Sequence, residues 1–221
     1  MNYYIADMHL GHANAIGFDG RPFADVMEMS ETLIRRWNST VSRADTVYVL
    51  GDFIWEKESL WPAWLERLTG NKVLIRGNHD PRQFSPATKR FFQDIADYKE
   101  ITDTGRHVIL CHYPMPFHRA DYDEKCFMLY GHVHNTREYT FLEKLRKELR
   151  ETRTERSHAR AQFINVGCMM PWMDYTPRTL DEILDGEEKA AGSQEEAHAG
   201  LFIPLRKVPV PMCSILGKRA E

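Results

Sequence analysis

Short apolar runs that each end in polar, chemically active residues constrain this chain more than any other feature of its sequence. The clearest example is Val73-Leu-Ile-Arg-Gly-Asn-His-Asp80. Its aliphatic residues predict a buried strand, and Gly77 and Pro81 prevent the strand from continuing. The amide, imidazole and carboxylate of residues 78–80 therefore fall at the end of a strand, where open α/β sheets bind their ligands.

The same arrangement recurs along the chain. Apolar runs at 3–6, 46–50, 107–111 and 126–130 also predict buried strands, and polar residues follow each one directly. Helical patterns separate the first three strands of the chain. This alternation predicts an α/β fold with a largely parallel sheet and helical crossovers, so that the strand ends meet at one edge.

The composition indicates an intracellular protein and does not point to nucleic acid or membranes as its partners. Its 221 residues suit one domain, 1–221, and a net charge of −3 argues against general binding to polyanions. The four cysteines are scattered, without a C-x-x-C pair, which fits a reducing compartment. No apolar run approaches the roughly 18 residues of a membrane span. We therefore expect a cytoplasmic protein that does not associate with membranes.

The residues at the strand ends have the chemistry of metal ligands. In chain order they are Asp7-x-His9, Gly51-Asp52, Gly77-Asn-His-Asp80, His112 and Gly131-His-Val-His134. Imidazole and carboxylate groups without thiolates suit divalent Mn, Fe, Zn, Ni or Co. Asp7 and His9 are two residues apart, so both side chains would point the same way if the chain left the strand in an extended conformation.

Two such ions, about 3.5–4 Å apart, can bind the attacking and leaving oxygens of a phosphoryl displacement. Asp52 lies at the centre of the set and is the natural carboxylate to bridge them. His79 is not required as a ligand, so we predict that it protonates the leaving oxygen as a general acid. Asp80 is then predicted to orient the ring of His79.

In their order, these motifs resemble the signature of the calcineurin-like metallophosphoesterases across residues 7–134. The resemblance implies a four-layer αββα sandwich of two mixed β-sheets flanked by helices, with a dinuclear metal centre at the strand ends. The ligands that it implies for one ion are Asp7, His9, Asp52 and His134. Those that it implies for the other ion are Asp52, Asn78, His112 and His132.

The local sequence of residues 7–23 also resembles a subgroup of small, uncharacterised bacterial and phage phosphoesterases. This resemblance implies that His12, Asn14 and Arg21 lie near the metal site. A guanidinium matches the geometry of phosphate, so Arg21 is predicted to take a phosphate oxygen. The alternative is that Arg21, which precedes a proline, only caps a loop.

Two segments lie outside these motifs. Residues 136–160 combine a narrow apolar stripe with many Arg, Lys and Glu residues, which predicts an inserted basic amphipathic helix. Its polar face is either simply solvated or contacts an anionic substrate or nucleic acid. Residues 185–200 are acidic and rich in Ala, Gly, Ser and Glu, which predicts a flexible segment.

The sequence therefore predicts a metallophosphoesterase that hydrolyses a phosphate ester by in-line attack of a hydroxide held by a dinuclear metal centre. A phosphodiester is preferred over a monoester because His79 can protonate a poor leaving group. The expected partner is a small, nucleotide-like phosphate ester. One alternative is a nuclease whose 136–160 segment guides a polynucleotide backbone. Another is a non-catalytic, metal-binding scaffold.

Overall fold

The first four strands form a sheet in which every neighbouring pair is parallel. The computed structural model describes residues 1–152 and 160–199. In spatial order, the strands of the first sheet are β1 (Asn2–Ile5), β2 (Thr46–Val49), β3 (Asn71–Ile75) and β4 (Asp94–Ala96). The register pairs Ile5 with Val49, and Val49 with Leu74. The carboxyl ends of β1 to β3 therefore form one edge, as the alternation of strands and helices predicts.

The second sheet is mixed. Its strands, in spatial order, are β5 (Tyr98–Asp103), β6 (Arg106–Cys111), β7 (Cys126–Tyr130) and β8 (Phe163–Asn165). β5 and β6 form an antiparallel hairpin, whereas β6, β7 and β8 are mutually parallel. The hairpin turn consists of Thr104 and Gly105, whose φ angles of 47° and 79° suit the type I′ turn that matches strand twist.

Backbone hydrogen bonds join the two sheets at the end of β1. The amide of Ala6 donates to the carbonyl of Val166, and the amide of Cys168 donates to the carbonyl of Ala6, each at 2.8 Å. These bonds hold the chain after β1 against the chain after β8. The carboxyl-end edges of the two sheets therefore lie side by side.

Helices flank the pair of sheets. In chain order they are α1 (Asn14–Asp19), α2 (Val26–Thr40), α3 (Trp61–Leu65), α4 (Pro86–Lys89), α5 (Arg137–Glu151) and α6 (Leu180–Ala199). Alternate residues of β7 show the layering. Phe127 and Leu129 belong to the core shared with the first sheet, whereas Met128 and Tyr130 pack with Leu142 of α5. Both faces of the second sheet are therefore buried, and the predicted arrangement of two sheets flanked by helices is confirmed. The prediction that both sheets are mixed is wrong for the first one, which is parallel throughout.

Helix α2 shows how the sequence sets the helix bounds. The side chain of Asp25 accepts hydrogen bonds from the amides of Met27 and Glu28 at 2.9 and 2.8 Å, which caps the first turn. Leu33 and Trp37 lie one turn apart on the buried face. The helical pattern that separates the first two predicted strands is therefore found as α2.

Each of the two segments outside the motifs contains helix, at residues 137–151 and 185–199. The helix predicted within 136–160 is α5, and residues 153–159 lie outside the described residues. Residues 185–199, in the segment predicted to be flexible, continue α6, and their flexibility stays a prediction. Alanine, glutamate, lysine and glutamine in this stretch are strong helix formers, and Glu187 pairs with Arg146 of α5. No described helix combines the length and apolar character needed to cross a membrane.

Candidate metal centre

The predicted ligands come together where the carboxyl ends of the two sheets adjoin. Most of them have a backbone conformation that residues other than glycine rarely adopt. The residues with left-handed φ angles are Asp7 (54°), His9 (50°), Asp52 (51°), His132 (71°) and His134 (49°). The interpretation of Asp7 and His9 as an extended exit from β1 is therefore wrong. Their side chains converge because the backbone turns at both residues, and such strain is concentrated at functional sites.

The first group of side chains lies on the β1 side of the centre. Asp7, His9, Asp52 and His134 are all buried, and each offers one ligand atom within 4.8 Å of the others. The Nε2 atoms of His9 and His134 are 3.3 Å apart. His9 Nε2 also lies 3.7 Å from Asp52 Oδ2. The structure thus brings together the four residues implied for one ion.

The second group lies on the other side of Asp52. His112 Nε2 is 3.7 Å from Asp52 Oδ1 and 3.0 Å from Asn78 Oδ1. The ring of His132 lies 5.1 Å from the ring of His112, measured between centroids. Asp52 therefore faces both groups, one through each carboxylate oxygen.

Hydrogen bonds behind two of the histidines fix which ring nitrogen faces the centre. His112 Nδ1 lies 2.8 Å from the carbonyl oxygen of Leu50, which can only accept, so Nδ1 carries a proton. His134 Nδ1 lies 2.7 Å from Asp19 Oδ1 in the same way. The Nε2 atoms of both rings are therefore free to act as ligands. A centre built of imidazole nitrogens and carboxylate or amide oxygens fits divalent transition ions.

The electrostatics of the first group also suit a cation. Burial raises the pKa of Asp7 to about 7, although the charge of His134 opposes the shift. Burial, together with the charge of His134, lowers the pKa of His9 to about 2, so His9 is neutral. Burial also raises the pKa of Asp52. Burial therefore disfavours the charged form of these carboxylates, and a bound divalent ion would offset that penalty.

Glycine residues in the motifs make room for the ligands. A Cβ atom added at Gly77 would lie 2.2 Å from Asp52 Oδ1, and one added at Gly131 would lie 2.7 Å from Asp7 Oδ2. Any side chain at either position would displace a carboxylate of the centre. The glycines of the G-N-H-D and G-H-x-H motifs are thus explained by close approach.

Asp19 is a site residue that the sequence reasoning missed. It ends α1, and its carboxylate accepts the Nδ1 proton of His134 at 2.7 Å and the Nε proton of Arg21 at 2.8 Å. Because of Asp19 and Asp7, the pKa of His134 is raised even though burial alone would lower it. A carboxylate behind a ligating imidazole orients the ring and strengthens it as a ligand. Nothing in the local sequence distinguishes Asp19 from a surface aspartate.

The structure contradicts the prediction that Arg21 takes a phosphate oxygen. Arg21 is only 3% exposed, and its guanidinium donates to Asp19 and to the carbonyls of Met8 and Asp7, at 3.0 and 2.9 Å respectively. Its hydrogen bonds are thus directed into the protein. Arg21 supports the backbone that carries Asp7. This role is closer to the alternative, in which Arg21 only caps a loop.

His12 and Asn14 differ in their surroundings. The ring of His12 is buried and stacks on Trp55, with centroids 3.8 Å apart and planes at 7°. It lies 5.3 Å from the ring of His9. Asn14 is exposed at the first position of α1. His12 therefore lies near the centre, and contact of either residue with substrate stays a prediction.

The structure gives Asp80 a different role from the predicted one. Its Oδ2 accepts hydrogen bonds from the amides of Asp52 and Gly77 at 3.0 and 2.8 Å, and its Oδ1 accepts one from the amide of Phe53 at 3.0 Å. Asp80 is thus buried and links the loops after β2 and β3 through hydrogen bonds. The prediction that it orients the ring of His79 is wrong, because its oxygens are directed at these backbone amides.

We expect Asp80→Ala to lower the free energy of unfolding by about 3 kcal/mol, because it leaves three enclosed amides without their acceptor. Chemical denaturation of the metal-free protein measures this loss. As a control, Asp97→Ala removes only the exposed ion pair with Arg76, and the expected change is less than about 1 kcal/mol. An Asp80→Ala protein as stable as the wild type would contradict this structural role of Asp80.

The fold and the site agree with the class of protein that the sequence motifs resemble. Residues 4–182 match the family model of the calcineurin-like phosphoesterase superfamily domain. This match covers most of the chain, and the protein belongs to that superfamily.

Individual relatives agree with this assignment. The chain is 36% identical over 191 residues to the uncharacterized protein MJ1445 of Methanocaldococcus jannaschii, covering 85% of this chain and 91% of that protein. It is 29% identical over 160 residues to the gene 66 protein of Mycobacterium phage D29, covering 60% of this chain and 78% of that protein. The crystal structure of AQ665, a protein of unknown function from Aquifex aeolicus, is similar with a TM-score of 0.61 and 27% identity. That similarity covers 84% of this chain and 98% of AQ665.

Proposed function

We propose that this protein is a metal-dependent hydrolase of phosphate esters that prefers a phosphodiester to a monoester. The observation that carries the proposal is the position of Asp52 between two groups of ligand-type side chains. Its Oδ1 lies 3.7 Å from His112 Nε2, and its Oδ2 lies 3.7 Å from His9 Nε2. A carboxylate in this position is suited to bridging two divalent ions.

The two groups assign a set of ligands to each ion. One ion would be held by Asp7, His9, Asp52 and His134, and the other by Asp52, Asn78, His112 and His132. These donors accept Mn, Fe, Zn, Ni or Co. When bound, the ions neutralise the charge of the phosphate and activate water for in-line attack on phosphorus.

His79 donates the proton that the leaving oxygen needs. Its amide donates to Asp52 Oδ1 at 3.0 Å, which ties the residue to the centre. Its side chain is 45% exposed, and its Nε2 lies 4.0 Å from Asp52 Oδ2. A ring beside the ligands, yet open to solvent, can reach an oxygen that leaves phosphorus. An alkoxide leaves poorly without a proton, so this role suits esters of unactivated alcohols.

The contacts of α5 do not favour the nuclease alternative. Arg146 is buried and pairs with Glu187, and Lys147 pairs with Glu151 at 3.7 Å. Lys144 lies over the ring of Phe141. These cations therefore have partners within the protein. The nuclease and the non-catalytic scaffold stay predictions without an observation in their favour.

The proposal is tested by adding single divalent metals back to metal-free protein and measuring hydrolysis of bis-p-nitrophenyl phosphate and p-nitrophenyl phosphate. We expect metal-dependent turnover of both, with the higher kcat/KM for the diester. A higher kcat/KM for the monoester would contradict the preference while leaving the class intact. Two bound ions per chain with no hydrolysis of either ester would favour the scaffold instead.

A further inference from the structure

An open cleft adjoins the candidate metal centre on the side of His79. Its volume is about 430 Å³, and it is lined by Ile54, Trp55, Glu56, Lys57 and His79. This volume falls within the range of roughly 300–1,000 Å³ that is usual for small-molecule sites. Because His79 lines both the cleft and the centre, a ligand in the cleft lies next to the reacting phosphate.

Trp55 presents a large aromatic ring whose position is fixed. The residue is 40% exposed, and its amide donates to the carbonyl of Leu10 at 2.8 Å. The loops after β1 and β2 pair at this point, through Leu10 and Ile54. The ring of His12 stacks on the indole. A ligand that stacks on a ring held in this way need not order it first, which reduces the entropic penalty of binding.

The position of Trp55 indicates which part of the substrate would lie in the cleft. Its ring centroid lies 4.7 Å from that of His79. Under the proposed function, the oxygen that leaves phosphorus lies within about 2.6–3.2 Å of the imidazole of His79. The carbon skeleton attached to that oxygen therefore extends beside Trp55. Under that function, the cleft would receive the leaving alcohol.

We propose that Trp55 stacks against the base of a nucleoside that forms the leaving alcohol, so that the preferred substrates are phosphodiesters of nucleosides. A nucleobase is planar and matches the face of an indole. Glu56 and Lys57 line the cleft with one charge of each sign, which favours a neutral, polar ring over a cation. This inference rests on the proposed function, because the role of His79 identifies the leaving side.

The direct test is binding to metal-loaded protein by calorimetry. Thymidine 5′-monophosphate carries a base, and 2-deoxyribose 5-phosphate carries a hydroxyl group in its place. We expect the nucleotide to bind about tenfold more tightly, because stacking of a base on an aromatic side chain has an effect of this size. Equal binding of the two ligands by the wild type would overturn the inference.

Three variants separate stacking from a general effect on the fold. Trp55→Leu should remove the preference for the base, whereas Trp55→Phe should retain part of it. Phe141→Leu changes an exposed aromatic residue on α5 and should leave the preference unchanged. A preference that persists in a folded Trp55→Leu protein would overturn the inference. If that variant does not fold, Trp55→Phe decides, since an unchanged preference there would contradict a role for the indole face.

A second measurement distinguishes failure of this inference from failure of the proposed function. The methyl diesters of the same two phosphates differ only in the base of the leaving alcohol. We expect thymidine to be released with a kcat/KM about tenfold higher than deoxyribose. Equal hydrolysis of both diesters would contradict stacking but support the diesterase. Base-dependent binding without hydrolysis of either diester would contradict the diesterase and retain the nucleotide site.

Discussion

Replacement of Asp52 by asparagine is expected to reduce kcat/KM for bis-p-nitrophenyl phosphate by at least about 10³-fold, since loss of a single stabilising donor in an active site already reduces kcat by about 10²–10³-fold. The asparagine side chain is nearly isosteric with that of aspartate, but it carries no charge and can offer only one oxygen. Since Asp52 faces His9 through one oxygen and His112 through the other, the substitution should disturb both groups of ligands. Metal analysis after dialysis should then give at most one ion per chain.

The stability of the variant must be controlled, because Asp52 Oδ1 also accepts the amide proton of His79. Asp103→Asn is a suitable comparison. Asp103 is buried as well, and it accepts hydrogen bonds from Tyr4 and Asn2 at 2.6 and 3.2 Å, away from the centre. Asp103→Asn should keep both ions and the full rate. An Asp52→Asn protein that still binds two ions with wild-type affinity would show that Asp52 does not bridge them.

The positions of the main strands could be predicted because of how they are buried. All five residues of β7 are buried. A strand that is buried on both faces favours apolar residues throughout, so the run stands out from the more polar sequence around it. Parallel strands then bring their ends to one edge, which is why residues as distant in sequence as Asp7 and His134 could be assigned to one site. By contrast, β4 has only three residues, none of them fully buried, and α4 has only four. Elements this short have too few residues for a periodic pattern.

The contacts behind the ligands could not be predicted, because neighbours in sequence are not neighbours in space. Asp80 follows His79 directly, yet its carboxylate turns away to the amides of Asp52, Phe53 and Gly77. The carboxylate that does support an imidazole is Asp19, which is 115 residues away from His134. A pairing of this kind exists only after the sheets have come together.

The length of α6 shows the limit of composition as a guide. Acidic residues with glycine and serine indicated a flexible segment, but the same stretch contains many alanine, glutamate and lysine residues with high helix propensity. The buried guanidinium of Arg146 on α5 requires a counter-charge, and Glu187 on α6 provides it. The helix is thus favoured by a contact between segments that are 41 residues apart.

Replacement of His79 by alanine is expected to slow hydrolysis in proportion to how poorly the alcohol leaves. A general acid typically contributes about 10²–10⁴-fold to the rate, and its contribution is greatest where the leaving oxygen most needs a proton. The measurement is a series of methyl aryl phosphates whose phenols differ in acidity. The aryl ring is present throughout, so any stacking on Trp55 stays nearly constant. The least acidic phenols should show the largest loss, and p-nitrophenol the smallest.

Metal binding distinguishes this role from that of a ligand. The ring of His79 is outside both proposed sets of ligands, so His79→Ala should retain two ions per chain. His107→Ala provides a matched control, because His107 is a half-buried histidine paired with Glu100 at 2.8 Å on the second sheet. That variant should hydrolyse the whole series at the wild-type rate. If His79→Ala slows every ester by the same factor and also loses an ion, then His79 supports the metals. A loss that grows steadily as the phenol becomes less acidic, with both ions retained, is the result that proton donation requires.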